Sequence, residues 1–97
     1  MTPVHFAWDE RKNKANQNKH RVSFGEARTV FCDENARLIL DPGHSSDEDR
    51  FILLGTSYRL PLLTVCHCYR KDDRLIRIIS ARKAAKTERK QYEEKLP

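Results

Sequence analysis

The 97-residue chain carries a formal net charge of +5, with 38% apolar and 34% charged residues. That is enough for one compact domain spanning residues 1–97 with a modest core, and too little for two domains. No apolar stretch approaches the roughly 20 residues of a membrane span, no apolar leader precedes the first charges, and the three cysteines (Cys32, Cys66, Cys68) lack framework spacing, so a soluble protein of the reducing cytoplasm is expected.

Val4-His5-Phe6-Ala7-Trp8 alternates toward a short strand, and Asp9 stands where an N-cap would start a helix running through Lys19. That helix is mostly polar, with Ala15 alone as its apolar contribution. It is expected on the surface, its start anchored by Trp8 and Phe6. Between Arg11 and Arg21 there are five basic residues and no acid. Ser23-Phe24-Gly25-Glu26 reads as a capping box: the Ser hydroxyl accepts from the amide of Glu26, whose carboxylate returns to the amide of Ser23. Phe24, Ala27, Val30 and Phe31 follow at helical spacing, so this second helix turns an apolar stripe to a sheet, and Asp33-Glu34-Asn35 ends it.

The period then changes. Leu38-Ile39-Leu40 reads as a strand stopped by the turn Asp41-Pro42-Gly43, and three more strands are expected over 50–56, 60–69 and 75–80. Their short connections predict an antiparallel meander. Residues 81–95 return to helical composition with six basic residues in 82–95 against three acidic ones, the closing helix beginning near Arg82 or near Thr87. The fold class is therefore α+β: an antiparallel sheet of about five strands with two helices before it and one after.

Basic clusters of this kind favour a polyanionic partner, because phosphates neutralised by Lys and Arg release counterions; a solvated basic surface is the other reading. Metal-independent RNA cleavage needs a base for the ribose 2′-OH, an acid for the departing oxygen, and cations for the charge gathering on phosphorus. Strand alternation puts His67 with Tyr69 on one face, and Leu75, Arg77 and Ile79 on one face of the next strand. If those faces coincide, an imidazole lies beside a permanent cation. Arg77 interrupts an apolar run, where a charge needs a partner or an opening to solvent. Arg82-Lys83, expected where a strand exits into a helix, could gather around phosphate oxygens or pair with Glu88 or Glu48. Glu48, in the acidic segment 45–50, is a candidate base, with a hydrated loop countered by Arg50 as the alternative. Arg50 and Arg70, at strand ends, complete the basic residues taken as RNA contacts with Lys83. Cys66-His67-Cys68 with His44 or His20 does not favour zinc, since alternation sends the two thiols to one face and His67 to the other; no metal or cofactor is expected.

In this order, the stretches FAWDERKNKANQNKH (6–20), RVSFGEA (21–27), DPGHSSDEDRF (41–51), RIISARKA (77–84) and TERKQYE (87–93) closely resemble the BrnT toxin family over nearly the whole chain. The resemblance implies a type II toxin with a fold similar to RelE-type ribonucleases, an endoribonuclease that arrests translation. It also implies a BrnA-like antitoxin whose ribbon-helix-helix domain takes the complex to its own promoter DNA. By that analogy cationic side chains carry much of the transition-state stabilisation, which agrees with Arg77, Arg82 and Lys83. His20 and Tyr92 match the family as residue types and are carried over as RNA contacts, although fold analogy does not fix their roles; a cap or brace for the first two helices is the other reading of His20. One departure stands out: the family pattern commonly has Thr or Ser where Ala85 stands, an oxygen that would complete a capping box with Glu88. The same basic surface would also serve a module of another class, a co-repressor subunit that binds antitoxin and DNA without turnover.

Overall fold

The computed structural model describes residues 4–40, 50–70 and 74–97. A short strand, β1 (His5–Ala7), leads into α1 (Glu10–His20) and α2 (Phe24–Thr29), which runs on through a 3-10 turn at Val30–Cys32. The strands β2 (Arg37–Leu40), β3 (Phe51–Thr56), β4 (Leu62–Arg70) and β5 (Leu75–Lys83) follow, and α3 (Lys86–Glu94) closes the chain. They form one five-stranded sheet in the order β1-β5-β4-β3-β2. The meander β2 to β5 is antiparallel as expected, while β1 pairs parallel with β5, so the sheet is mixed rather than wholly antiparallel.

Helices cover the sheet from both sides. Phe24, Ala27 and Val30 pack on Leu53, Leu63, Val65, Ile78 and Ala81 in the main core. On the other side Tyr92 of α3 packs against Leu54 and Leu62 in a smaller one. Full burial of each large apolar side chain is worth about 1.5–3 kcal/mol, so the first cluster dominates stability.

The start of α1 is as the sequence predicts: the Asp9 carboxylate accepts from the Arg11 amide at 2.8 Å. The rest of α1 corrects the expectation of a purely surface helix, because Asn13 and Asn16 are buried. The Asn16 amide donates to the carbonyls of Val22 and Ala81, both at 2.8 Å, and accepts from the Ala81 N–H at 3.1 Å. It thus satisfies the edge of β5 beyond the end of its pairing with β1, where backbone groups would otherwise be orphaned. Asn13 Oδ1 accepts from the Phe24 N–H at 2.9 Å and ties α1 to the start of α2.

The capping box at Ser23 forms by half. Ser23 Oγ accepts from the Glu26 N–H at 3.0 Å, but the Glu26 carboxylate accepts from the Ser57 hydroxyl at 2.6 Å instead of returning to Ser23. The strand β5 also runs on through Lys83, past the expected end at Ser80, and α3 begins at Lys86 with Ala85 as N-cap. The methyl of Ala85 accepts nothing, so Glu88 supplies the remaining half of that cap by accepting from the Ala85 N–H at 2.8 Å.

Candidate active site

The two long central strands decide which side chains share a face. Directly opposed residues of an antiparallel pair point the same way. Thr64 opposes Arg82, Cys66 opposes Ser80, and Cys68 opposes Arg77, while His67 opposes Ile78 and Tyr69 opposes Ile76. The register shifts between Cys66 and His67, leaving Ile79 as the extra residue of a bulge. Simple alternation would put Arg77 and Arg82 on opposite faces, five residues apart. The bulge restores them to one face, the side on which α3 packs, and leaves Ile76, Ile78 and Ala81 buried under the helices α1 and α2.

Arg77 is exposed and makes no ion pair with a described acidic residue. Arg82 is held: its two terminal nitrogens donate to the Glu88 carboxylate at 2.7 and 2.9 Å, a bidentate pair with 43% of the Arg side chain still exposed. Glu88 accepts in addition from the Thr64 hydroxyl at 3.0 Å, so one carboxylate joins β4, β5 and the first turn of α3. The hydrogen bonds from Arg82 hold the Glu88 carboxyl below its usual range against the opposing effect of burial, and Glu88 in turn raises the Arg82 pKa. Nη1 also donates weakly to the Lys83 carbonyl at 3.4 Å, which leaves Nε and the second N–H of Nη2 as the donors that an incoming anion would meet.

The other sequence candidates fall into three groups. Arg70 ends β4 and Arg50 stands one residue before β3, both at the Arg77 end of the sheet. Lys83 opposes Leu63 and so takes the α1–α2 side; it is separated from Arg82 because the residues lie within a strand, not in the expected strand-to-helix junction. His20 is the last residue of α1, in the helical layer on that same side. Glu48 lies outside the described residues.

His67 corrects the expected pairing of an imidazole with Arg77. The faces do not coincide: His67 is fully buried on the α2 side, its ring 4.9 Å from Phe31, 6.2 Å from Phe51 and 5.1 Å from Tyr69. Its Nδ1 lies 3.3 Å from the Val65 carbonyl and its Nε2 lies 3.2 Å from the Tyr69 hydroxyl. Burial pushes its pKa below the ordinary value, against a smaller upward effect of the Val65 carbonyl. Tyr92 is buried too, and its hydroxyl donates to Asp33 Oδ2 at 2.6 Å. The same oxygen accepts from the Thr56 N–H at 2.9 Å and the Thr56 hydroxyl at 3.2 Å, so Tyr92 clamps α3 onto the turn before β2.

Two residues of this region were not singled out as site residues in the sequence. Glu88 could have been found from its N3 spacing after Ala85. His5 shares a face with Arg77 through the parallel pairs His5–Leu75 and Ala7–Arg77, a neighbourhood that only the sheet order discloses.

A small basic α+β domain with arginines mustered on one sheet face is built to handle a polyanion. The family model described as the ribonuclease toxin BrnT of type II toxin-antitoxin systems matches residues 8–88, and the chain belongs to that family. It is similar in fold to the crystal structure of the Brucella abortus ribonuclease toxin BrnT, with a TM-score of 0.66 and 21% sequence identity over 86% of this chain and 99% of that one. No curated protein matched the sequence. Membership implies an RNA substrate and an antitoxin partner. Among the described residues no helix is long and apolar enough to cross a membrane.

Proposed function

We propose that this protein is a metal-independent endoribonuclease whose Arg77 and Arg82 grip the phosphate backbone of RNA and whose activity arrests translation. The observation that carries the reading is the bulge at Ile79, which sets both guanidinium groups on one face of β5. Bulges of this kind re-aim side chains next to functional sites. Arg77 supplies an exposed cation, and Arg82 a fork already oriented by Glu88, so little rotamer freedom is lost when a phosphate arrives. Arg77 acts on the charge that develops on phosphorus as the 2′ oxygen attacks, and Arg82, about 13 Å further along the sheet by strand rise, holds another phosphate of the same RNA strand.

A BrnA-like antitoxin with acidic segments would be drawn to this same face, and its ribbon-helix-helix domain would carry the complex to promoter DNA. Inhibition then follows from covering the arginines. The test is cleavage of a mixed-sequence RNA by purified protein in excess EDTA. Cutting that persists in EDTA and stops when antitoxin is added supports the reading; intact RNA, or cutting that antitoxin leaves untouched, overturns it.

A further inference from the structure

The arginine face supplies cations, but cleavage also needs a group that takes a proton from the ribose 2′-OH. An imidazole is the side chain suited to that task near neutral pH. His67 is sealed on the opposite side of the sheet, and His20 closes a helix in the layer beyond it. Tyr69 shares the face of His67, Tyr92 is spent on Asp33, and Glu88 is spent on Arg82, Thr64 and the Ala85 amide.

The topology offers one histidine on the right face among the described residues. The strand β1 is laid parallel along β5 by the His5 N–H, which donates to the Arg74 carbonyl at 2.9 Å, and by the pairs His5–Leu75, Phe6–Ile76 and Ala7–Arg77. Phe6 faces the helices, where its ring meets Phe31 at 5.1 Å, so its neighbours His5 and Ala7 face the arginine side. His5 is exposed, and so is Arg77, one strand across and two residues along. Strand spacing and rise put their backbones about 8 Å apart, a gap that a ribose and its 3′ phosphate fill.

Resting on the ribonuclease reading above, we propose that His5 is the general base of the cleavage. Its imidazole takes the proton of the 2′-OH as the 2′ oxygen bonds to phosphorus and the bond from phosphorus to the 5′ oxygen breaks. Water protonates the departing oxygen, and the hydroxide left behind recovers the proton from the imidazolium. The products are a 2′,3′-cyclic phosphate and a free 5′-hydroxyl, with Arg77 neutralising the phosphorane. His5 lies ahead of the stretch 8–88 that the family model covers, so the assignment belongs to this chain's own sequence.

The experiment compares the full chain with His5→Ala and His5→Gln. Neither substitution touches a core residue, and the thermal midpoint of each variant is measured alongside. Cleavage is expected to fall about 100-fold in both, the usual worth of a positioned base, with affinity for a 2′-O-methyl RNA unchanged and with partial recovery of His5→Ala activity on adding free imidazole. Variants that cut within threefold of the unaltered protein overturn the role of His5 and leave the ribonuclease reading standing. A loss of cleavage that tracks a loss of 2′-O-methyl RNA binding overturns it as well, since His5 is then a binding contact. An unaltered protein that never cuts overturns both.

Discussion

His67 shows how a residue legible as chemistry in the sequence serves the core instead. An imidazole on an alternating strand next to an arginine-bearing strand is a reasonable catalytic candidate, and nothing in residues 62–70 discloses which side the helices cover. Phe31, Phe51 and Tyr69 enclose it, and burial disfavours its charged form. A histidine with a depressed folded pKa makes the unfolded chain the better proton acceptor. Its contribution is therefore complete above the ordinary pKa of 6.5 and is lost as pH falls from there toward the folded value. His67→Phe, which keeps an aromatic ring in the nest, is expected to flatten the slope of unfolding free energy between about pH 7 and pH 5, as read from urea titrations at each pH. An unchanged slope would mean that the imidazole titrates alike in both states. Asp33 acts lower on the scale: burial alone would raise it, but hydrogen bonds from Tyr92, Thr56 and the Asn35 amide win and keep it below its ordinary 3.8, so its contribution disappears only in stronger acid.

At the scale of elements, the caps and periods were readable and the joints were not. Asp9 and Ser23 announce their helices, and the change from period 3.6 to period 2 after Asn35 places the strands to within a residue or two everywhere but at the end of β5. The bulge is silent, because Ile79 is as apolar as the residues around it, and with it the sharing of a face by Arg77 and Arg82 is silent too. The extension of β5 was missed because Ser80-Ala81-Arg82-Lys83 has a helix-start composition, although β4 is long enough to pair with it throughout. Asn16 was read as surface for want of an apolar neighbour, yet it is the rivet between α1, the Val22 loop and β5. Asn16→Leu strands an N–H and two carbonyls in a dry joint, and each orphan costs about 1–3 kcal/mol. Destabilisation of roughly 2–5 kcal/mol is expected, together with faster hydrogen exchange at the Ala81 amide. A thermal midpoint equal to that of the unaltered protein would show that water replaces the side chain at no cost.

Over the whole molecule, the net charge of +5 says less about RNA binding than the way individual cations are committed. Arg82 and Glu88 form a neutral unit, so a phosphate arriving at Arg82 meets directed donors but displaces few counterions. Arg77, exposed and without a described acidic partner, is a full unit of charge. For single-stranded RNA, log affinity falls with log salt concentration by about 0.7 for each phosphate neutralised. Arg77→Ala is therefore expected to lower the magnitude of that slope by about 0.7, measured with a 2′-O-methyl RNA across a series of salt concentrations. Replacing both members of the neutral unit, Arg82→Ala together with Glu88→Gln, is expected to leave the slope nearly unchanged while abolishing cleavage. Removal of the pair also loosens the start of α3, by about 1 kcal/mol once solvent screening of a part-exposed bridge is allowed for. Equal slopes for the unaltered protein and Arg77→Ala would put the phosphate elsewhere on the surface. A slope reduced by the double substitution but not by Arg77→Ala would reverse the roles, making Glu88 a group that RNA displaces instead of one that aims the guanidinium.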